Sequence, residues 1–312
     1  MCNKEKREYS SGEDSNMKKN MLFVYNPRAG KAQIRSNLLD IIDIFVKAGY
    51  EVTAYPTQAV GDAVEAVKKR RPGYDIVVCS GGDGTLDEVA AGMMQCDERV
   101  PIGYVPAGST NDFANSLGIP KNMIKAADVI VNGVDFACDT GILNDHTFIY
   151  VAAFGIFTDV SYETKQDAKN TLGHAAYLLE GVKRLPMIRS YSLKVTYEDQ
   201  VIEGEFLYGM VTNSLSVGGF RGITGKDVLL DDGLFEVTLI RKPANPLDMN
   251  NIILALVDKR VKSEYIHTFK TAQLTVEGEE PFSWTLDGEF GGEHKKAVIS
   301  NRSKALRIRV PR

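Results

Sequence analysis

The sequence predicts an α/β N-terminal domain, with a parallel sheet and helices on both faces, followed by a β-rich C-terminal domain. Three observations carry that prediction. Short, unbroken apolar runs such as MLFVY and DIVVC read as strands buried on both faces. They alternate with segments whose apolar residues recur at helical spacing, and the order strand, loop, helix repeats to about residue 140. Beyond that point the period changes to strict alternation broken by Gly, Asp and Asn turns.

Residues 1–20 mix charges with Ser, Asn and Gly, lack the apolar centre of a signal peptide, and read as a disordered leader. MLFVY is the first strand, stopped by Asn26-Pro27. After NPRAGK, the residues Ile34, Leu38, Ile41, Ile42 and Phe45 share one helix face, Gly49 ends the helix, and EVTAY resumes extended chain. Ala63, Val64 and Val67 mark a second helix before the RRPG break. DIVVC then runs straight into SGGDGT, where Thr85 and Glu88 have capping-box spacing, so a third helix is expected to begin at Thr85. VPIGYV is the next strand and leads into PAGSTNDFA. In the second half SLKVTY, EFLYGMV, LFEVTLI, AQLTVE, FSWTL and LRIRV read as strands, interrupted by helical stretches around 172–185 and 247–257.

Composition narrows the function. The chain has 312 residues, 44% hydrophobic and 25% charged, enough for a full core and about two domains. A net charge of -4 gives no field for a polyanion, so nucleic acid is not expected as a partner. The four cysteines, Cys2, Cys79, Cys96 and Cys138, form no CxxC pair and read as structural thiols of a reducing cytoplasm. The longest nearly uncharged apolar stretch, residues 148–157, is far short of the ~20 residues that span a bilayer.

In a parallel sheet ligands bind at the carboxyl ends of the strands, and three polar loops fall there: 26–31, 80–85 and 106–112. In SGGDGT the residues Gly81, Gly82 and Gly84 let backbone N–H groups approach an anion, at a helix start whose partial positive charge suits phosphate. The spacing is neither GxGxxG nor a P-loop. Asp83 is the informative residue. A carboxylate beside a triphosphate is repelled unless a divalent cation lies between them, so the loop points to a metal-nucleotide rather than bare phosphate. A tight turn with local hydrogen bonds is the competing reading of this loop alone. PAGSTND adds Gly108, Ser109, Thr110 and a second carboxylate, Asp112; NPRAGK adds Asn26, Gly30 and Lys31.

In WTLDGEFGG, Asp287 and Glu289 flank Gly288 after a strand, placing two carboxylates on a sharp turn. A carboxylate can accept the proton of an attacking hydroxyl in phosphoryl transfer, and an Asp-Gly hairpin turn is the alternative. LLDDG, residues 229–233, could hold a cation or simply reverse the chain.

The set GGDGT, PAGSTND, LDDG and LDGE, in this order and with these gaps, resembles the bacterial diacylglycerol kinase and sphingosine kinase superfamily of soluble lipid kinases, from about Met21 onward. GGDGT alone is shared with NAD kinases and phosphofructokinases, so the first domain is expected to be NAD kinase/phosphofructokinase-like. The resemblance implies a kinase dependent on ATP and Mg²⁺, with nucleotide bound in residues 21–140 and lipid entering the cleft beside residues 141–312. By position it assigns ATP contacts to Asn26, Gly30, Thr57, Gly82, Asp83, Gly84, Thr85, Glu88 and Ser109. Asp83 and Asp112 fall in the metal and phosphate network, and Glu289 becomes the proton acceptor with Asp287 beside it. For LDDG it implies a structural Mg²⁺ held by the Asp232 side chain with carbonyls near Leu229 and Leu234. Two positions depart from the pattern: Asp87 stands where relatives generally carry Asn, and Ser109 where they carry Thr.

The implied acceptor is diacylglycerol, giving phosphatidic acid, from a cytoplasmic protein touching the inner face of the membrane, with a homodimer allowed. Tyr177, Leu178, Val182 and Leu185 lie at helical spacing beside Lys183, Arg184 and Arg189, a stretch that could dock on anionic lipid or pack as a core helix with a solvated end. The run Lys68 to Arg71 reads as a solvated face, and His174 has no catalytic partner near it. A kinase of a sphingoid lipid or of NAD, and a catalytically silent nucleotide- or lipid-binding regulator, are the competing functions.

Overall fold

The computed structural model of the chain describes residues 19–156, 189–218, 224, 227–257 and 261–312. Strands β1 (Lys19–Tyr25), β2 (Tyr50–Pro56), β3 (Ile76–Gly81) and β4 (Ile102–Pro106) stand in the order β2, β1, β3, β4, every pair parallel. Both faces of β3 and β4 are buried, as their unbroken apolar sequences require. Helices α1 (Ile34–Lys47), α2 (Asp62–Arg70), α3 (Asp83–Met94), α4 (Asp112–Ser116) and α5 (Met123–Asn132) belong to the same half.

The step from β1 to β2 runs one way along the sheet, while those from β2 to β3 and β3 to β4 run the other. Right-handed crossovers therefore put α1 on one face and α2 and α3 on the opposite one. Accordingly α1 packs against α5, and α2 against α3. The strand order reverses between β1 and β3, which opens a crevice at their carboxyl ends.

The second half comprises β5 (Val134–Leu143), β6 (His146–Phe148), β7 (Val151–Gly155), β8 (Tyr191–Tyr197), β9 (Gln200–Thr212), β10 (Phe235–Arg241), α6 (Pro246–Val257), β11 (Ile266–Thr271), β12 (Gln273–Leu286) and β13 (Glu289–Val310). Neighbours run antiparallel in the order β11, β10, β9, β7, β12, β13, with β8 joining β9 and β12. This half has its own core, in which Phe154 meets Trp284 edge-on at 5.0 Å and Phe282 at 5.2 Å. β13 also pairs antiparallel with β5 and touches β4 in parallel at Ile308 and Ile102, so one hydrogen-bonded sheet runs through both halves.

Several details differ from the sequence reading. AQLTVE and FSWTL are one strand, β12, carried through Gly278 to Pro281 by a register shift between Glu277 and Phe282. LRIRV is the end of the 22-residue β13. Lys19 and Asn20 leave the expected leader for β1, where they pair with Tyr50 and Glu51, and the Asn20 N–H donates to Asp75 Oδ2 at 2.7 Å. The rest of the leader, the helical stretch 172–185, His174 and most of the basic segment beside it lie outside the described residues. Arg189 is described, and its guanidinium lies 5.2 Å from the centre of the Tyr191 ring. Cys79, Cys96 and Cys138 are free thiols, the first and last buried. No described helix is long and apolar enough to cross a membrane.

Candidate active site

The three loops meet through their backbones. At the end of β1 the Asn26 N–H donates to the Ser80 carbonyl at 2.8 Å, and at the end of β2 the Thr57 N–H donates to the Tyr25 carbonyl at 2.9 Å. Ala107 N–H reaches the Gly81 carbonyl at 2.7 Å. Gly30 has φ 53°, and a β-carbon there would overlap the Ala107 carbonyl, so only glycine lets the first loop lie on the third. A β-carbon on Gly108 would sit 2.8 Å from Gly82 Cα. Ser109 is exposed at the lip, whereas the Thr85 side chain is folded back over Gly81.

Asn111, not singled out in the sequence, is the clamp of the third loop. It adopts φ 52° at the start of α4; its Nδ2 donates to the Gly108 carbonyl at 2.7 Å, and its Oδ1 accepts the Gly108 N–H at 3.0 Å. The Tyr104 hydroxyl donates to the same Oδ1 and to the Gly81 carbonyl. The signal was local: Asn is among the few residues at ease in the left-handed region.

Asp83 opens α3 and faces the positive end of that helix. The helix begins two residues before Thr85 because Gly82 is its N-cap: the Thr85 and Leu86 N–H groups both reach the Gly82 carbonyl. Asp83 Oδ2 accepts the Asp112 N–H at 3.3 Å, while Oδ1 is shielded from solvent and has no donor among the described residues. Burial first, then the charge of Asp112, push the Asp83 carboxyl up to about 6. Asp112 is itself buried, and its Oδ1 accepts the Ser216 hydroxyl at 2.8 Å. Ser116 and Ser214 hydroxyls lie 2.9 Å apart, and the Leu215 N–H donates to Ser116 Oγ. The segment after β9 thus fastens to the third loop. Ser216 had no signal in the sequence, since its partner lies 104 positions away.

The capping-box expectation for Glu88 needs correction. Its carboxylate accepts the N–H groups of Gly61 at 2.8 Å and Ala63 at 3.1 Å, so it caps the start of α2 rather than of its own helix. Asp287 likewise differs from the expected partner in proton transfer. It sits in a two-residue turn with Gly288, both at positive φ (50° and 93°), and its buried carboxylate accepts N–H groups from Ile149, Tyr150 and Val151. The hairpin turn expected at Asp-Gly is present, and the Asp287 side chain faces inward. Glu289, the residue that follows the turn, points the other way. It is exposed, and its Oε1 lies over Gly84 in the first turn of α3. Burial of its inner side, and then the charge of Glu88, raise its carboxyl above the usual glutamate range.

The turn at 229–234 is anchored by Asp139, a wholly buried residue whose Oδ2 accepts the Gly233 N–H at 2.6 Å and whose Oδ1 accepts the Lys304 N–H at 2.7 Å. Asp232 Oδ1 accepts the Leu234 N–H at 3.0 Å, and its Oδ2 lies 3.5 Å from Lys270 Nζ. That ammonium also donates to the Asp227 carbonyl at 2.9 Å and pairs with Glu236 Oε1 at 2.9 Å. Leu229 is exposed. The turn lies apart in sequence from the glycine cradle.

Two sets of oxygen donors bear on a divalent cation. At the cradle, the shielded, unpartnered Asp83 Oδ1 beside the charge of Asp112 is the kind of oxygen that Mg²⁺ accepts. At the 229–234 turn the Asp232 carboxylate and adjacent carbonyls offer oxygens, and Lys270, 3.5 Å from Asp232 Oδ2, competes with a metal ion for that carboxylate.

Residues 20–142 match the family described as "Diacylglycerol kinase catalytic domain", and residues 151–310 that described as "YegS C-terminal NAD kinase beta sandwich-like domain". A diacylglycerol kinase of Bacillus subtilis (strain 168) is 35% identical over 273 residues, covering 86% of this chain and 89% of the relative. One from Staphylococcus carnosus (strain TM300) is 34% identical over 298 residues, covering 95% and 96%. Two crystal structures of Bacillus anthracis str. Sterne proteins share the fold. One, a diacylglycerol kinase, has a TM-score of 0.73 at 23% identity, covering 94% of this chain and 97% of its own. The other has 0.79 at 24%, covering 97% and 98%.

Proposed function

The chain belongs to the diacylglycerol kinase family and is a kinase, and from that premise we propose that it moves the γ-phosphoryl group of ATP to the hydroxyl of diacylglycerol, yielding phosphatidic acid. The observation that carries this reading is the placement of Glu289 Oε1 above the first turn of α3, opposite the glycine cradle. A hydroxyl entering between the two would have a raised-affinity proton acceptor on one side and a bound phosphate chain on the other.

In this reading the backbone of Gly82, Gly84 and Thr85 and the positive end of α3 hold the phosphates. Asn26, Gly30, Thr57 and Ser109 line the remaining nucleotide contacts, and Glu88 acts from beneath by fixing the start of α2. Asp83 and Asp112 would hold Mg²⁺, which offsets charge on the phosphate oxygens when bound. Glu289 takes the proton of the attacking hydroxyl. Its elevated proton affinity makes it a better base than an ordinary surface glutamate. Asp287 positions the turn and does not react. A second, structural Mg²⁺ is proposed at the Asp232 side chain with the carbonyls of Leu229 and Leu234. Residues 21–140 then form the nucleotide-binding part and 141–312 the lipid-facing part, working at the cytoplasmic surface of a membrane.

Purified protein incubated with labelled ATP, Mg²⁺ and mixed micelles of diacylglycerol, or with sphingosine or NAD instead, tests the acceptor. Label in phosphatidic acid supports the proposal. Label in the sphingoid base or in NADP alone overturns the acceptor, and label in no product overturns catalysis in favour of a silent binding protein.

A further inference from the structure

The two halves of the chain meet at the cradle through hydroxyl groups. Asp112 is buried; its Oδ1 accepts the Ser216 hydroxyl at 2.8 Å, and its N–H donates to Asp83 Oδ2 at 3.3 Å. Ser216 is held in turn. The Ser214 hydroxyl donates to the Ser216 carbonyl at 2.7 Å and accepts the Ser216 N–H at 3.3 Å. Ser214 has thereby committed its proton, so the donor in its 2.9 Å contact with Ser116 is Ser116 Oγ. That hydroxyl shares its proton with the Asp112 carbonyl at 3.0 Å and accepts the Leu215 N–H at 3.1 Å. Behind the segment, the Asn213 N–H donates to the Tyr150 carbonyl at 2.9 Å, Asn213 Nδ2 to the Asp139 carbonyl at 3.2 Å, and Thr224 Oγ1 to the Leu215 carbonyl at 3.2 Å. The Tyr150 ring stacks on Phe113, the chain neighbour of Asp112, but its hydroxyl donates to the Asp287 carbonyl at 3.3 Å. The hydroxyl that reaches the Asp112 carboxylate is that of Ser216.

We infer that Ser216 is a positioning residue for the cradle: its hydroxyl, presented by the second half of the chain, fixes the orientation of the Asp112 carboxylate that the first half offers to Mg²⁺. The inference rests on the reading that Asp83 and Asp112 hold the cation with the nucleotide, and it names the donor that orients one of them. An ionised carboxylate only accepts hydrogen bonds, so a hydroxyl is a suitable partner for Oδ1 and an alanine methyl is none. A hydrogen-bonded partner behind a ligating carboxylate holds it ready for the metal. Without that partner the group must be reoriented on binding, which generally costs 10- to 100-fold in metal affinity.

The placement separates metal from nucleotide. Ser216 follows β9, so the metal side of the cradle is complete only while that segment is docked on α4. The glycine loops close through their own backbones, as in the Ala107 N–H bond to the Gly81 carbonyl, and owe nothing to Ser216. Loss of its hydroxyl is therefore felt by the metal-bound nucleotide and not by the nucleotide alone.

The test measures equilibrium binding of a β,γ-methylene analogue of ATP to the full chain, without acceptor lipid, in excess Mg²⁺ and with EDTA in its place. Wild type, Ser216→Ala, Ser216→Cys and Ser116→Ala are compared, and the gain in affinity given by Mg²⁺ is the readout. Ser216→Cys matches serine in shape but is a weak donor, so it carries the test even if Ser216→Ala fails to fold. Both Ser216 variants are expected to cut the gain by about tenfold or more, up to its full extent, and to leave affinity in EDTA unaltered. Ser116→Ala takes the acceptor from the Leu215 N–H without touching the Asp112 side chain; it is expected to lower the melting temperature and keep the gain. A wild-type gain in a folded Ser216→Ala or in Ser216→Cys overturns the inference. So does an equal loss in Ser116→Ala, which would assign the effect to docking of the segment rather than to its hydroxyl. Absence of any gain in the wild type overturns the metal reading of the cradle and the inference with it, whereas a gain that the Ser216 variants leave intact overturns the inference alone.

Discussion

Glu289 Oε1 stands 3.4 Å from the point where a β-carbon would project from Gly84. That separation is ordinary van der Waals contact, so a methyl group fits the folded chain and alanine is the better helix former by about 1 kcal/mol. The methyl would nevertheless occupy the space between base and cradle. Gly84→Ala is therefore expected to keep the wild-type melting temperature within a few degrees and to lower kcat by roughly 10- to 100-fold. Melting curves and turnover measured on one preparation decide it, and unaltered turnover would show that nothing reacts in this gap.

Glu289→Gln keeps the shape and removes the basic oxygen. Loss of a general base costs about 10²- to 10⁴-fold in kcat, and that range is expected here with ATP affinity unchanged. The acid limb of the wild-type pH profile should lie above the ~4.3 of an ordinary glutamate, because burial and Glu88 raise this carboxyl. Equilibrium ATP binding alongside log kcat against pH separates the two effects.

Asp83 trades stability for function. Its carboxyl titrates at about 6 in the folded chain and at ~3.9 in an unfolded one. The fold binds this proton more tightly, so the stability it contributes is full below pH ~4 and is lost as pH rises through the folded value. At pH 7.5 the ionised, unneutralised carboxylate costs on the order of 3 kcal/mol. Asp83→Asn should raise the melting temperature of the nucleotide-free protein at pH 7.5, flatten its dependence between pH 4 and 6, and weaken metal-dependent turnover. Scanning calorimetry across that range is the check; a variant less stable than wild type at pH 7.5 would refute the assignment.

How far the sequence foretold this site depends on the distance between partners. The cradle was legible because its loops follow strands whose apolar runs announce them, and because Asp83 is out of place in a simple anion turn. The strands β1 to β4 were legible for the same reason. Asp287 was not, because its partners Ile149 to Val151 lie 136 to 138 positions away, and an Asp-Gly turn looks the same whether its carboxylate faces water or the core. Glu88 misled through a local rule: it has the right spacing to cap α3 but is turned toward Gly61, 27 positions back. β12 was read as two strands because Gly278 to Pro281 breaks the alternation, while its pairing with β13 resumes at Phe282.

Glu88→Ala should remove two N–H contacts at the start of α2 and destabilise the fold by ~1 kcal/mol, as other lost caps do. Because α2 follows the loop that bears Thr57, KM for ATP is expected to rise more than kcat falls. Chemical denaturation together with a KM and kcat split measures both. Stability equal to wild type would mean that water replaces the carboxylate at no cost.

Chelation addresses the turn at 229–234. If Asp232 and its neighbouring carbonyls hold Mg²⁺, EDTA lowers the melting temperature of the wild type by more than that of Asp232→Asn. Equal melting temperatures with and without chelator would leave the turn to its lysines, Lys270 at 3.5 Å from Asp232 and Lys304 at 3.9 Å from Asp231.

The contact between Ile308 and Ile102 has a consequence for biosynthesis. The edge of β4 is finished by a strand some two hundred positions further on, so a nascent chain leaving the ribosome carries its nucleotide half with one flank open until β13 emerges. Such a flank invites pairing with a neighbouring polypeptide. Truncating the gene after residue 142 should accordingly give not a small autonomous module but a sticky fragment, and coexpression of the missing half should rescue its solubility.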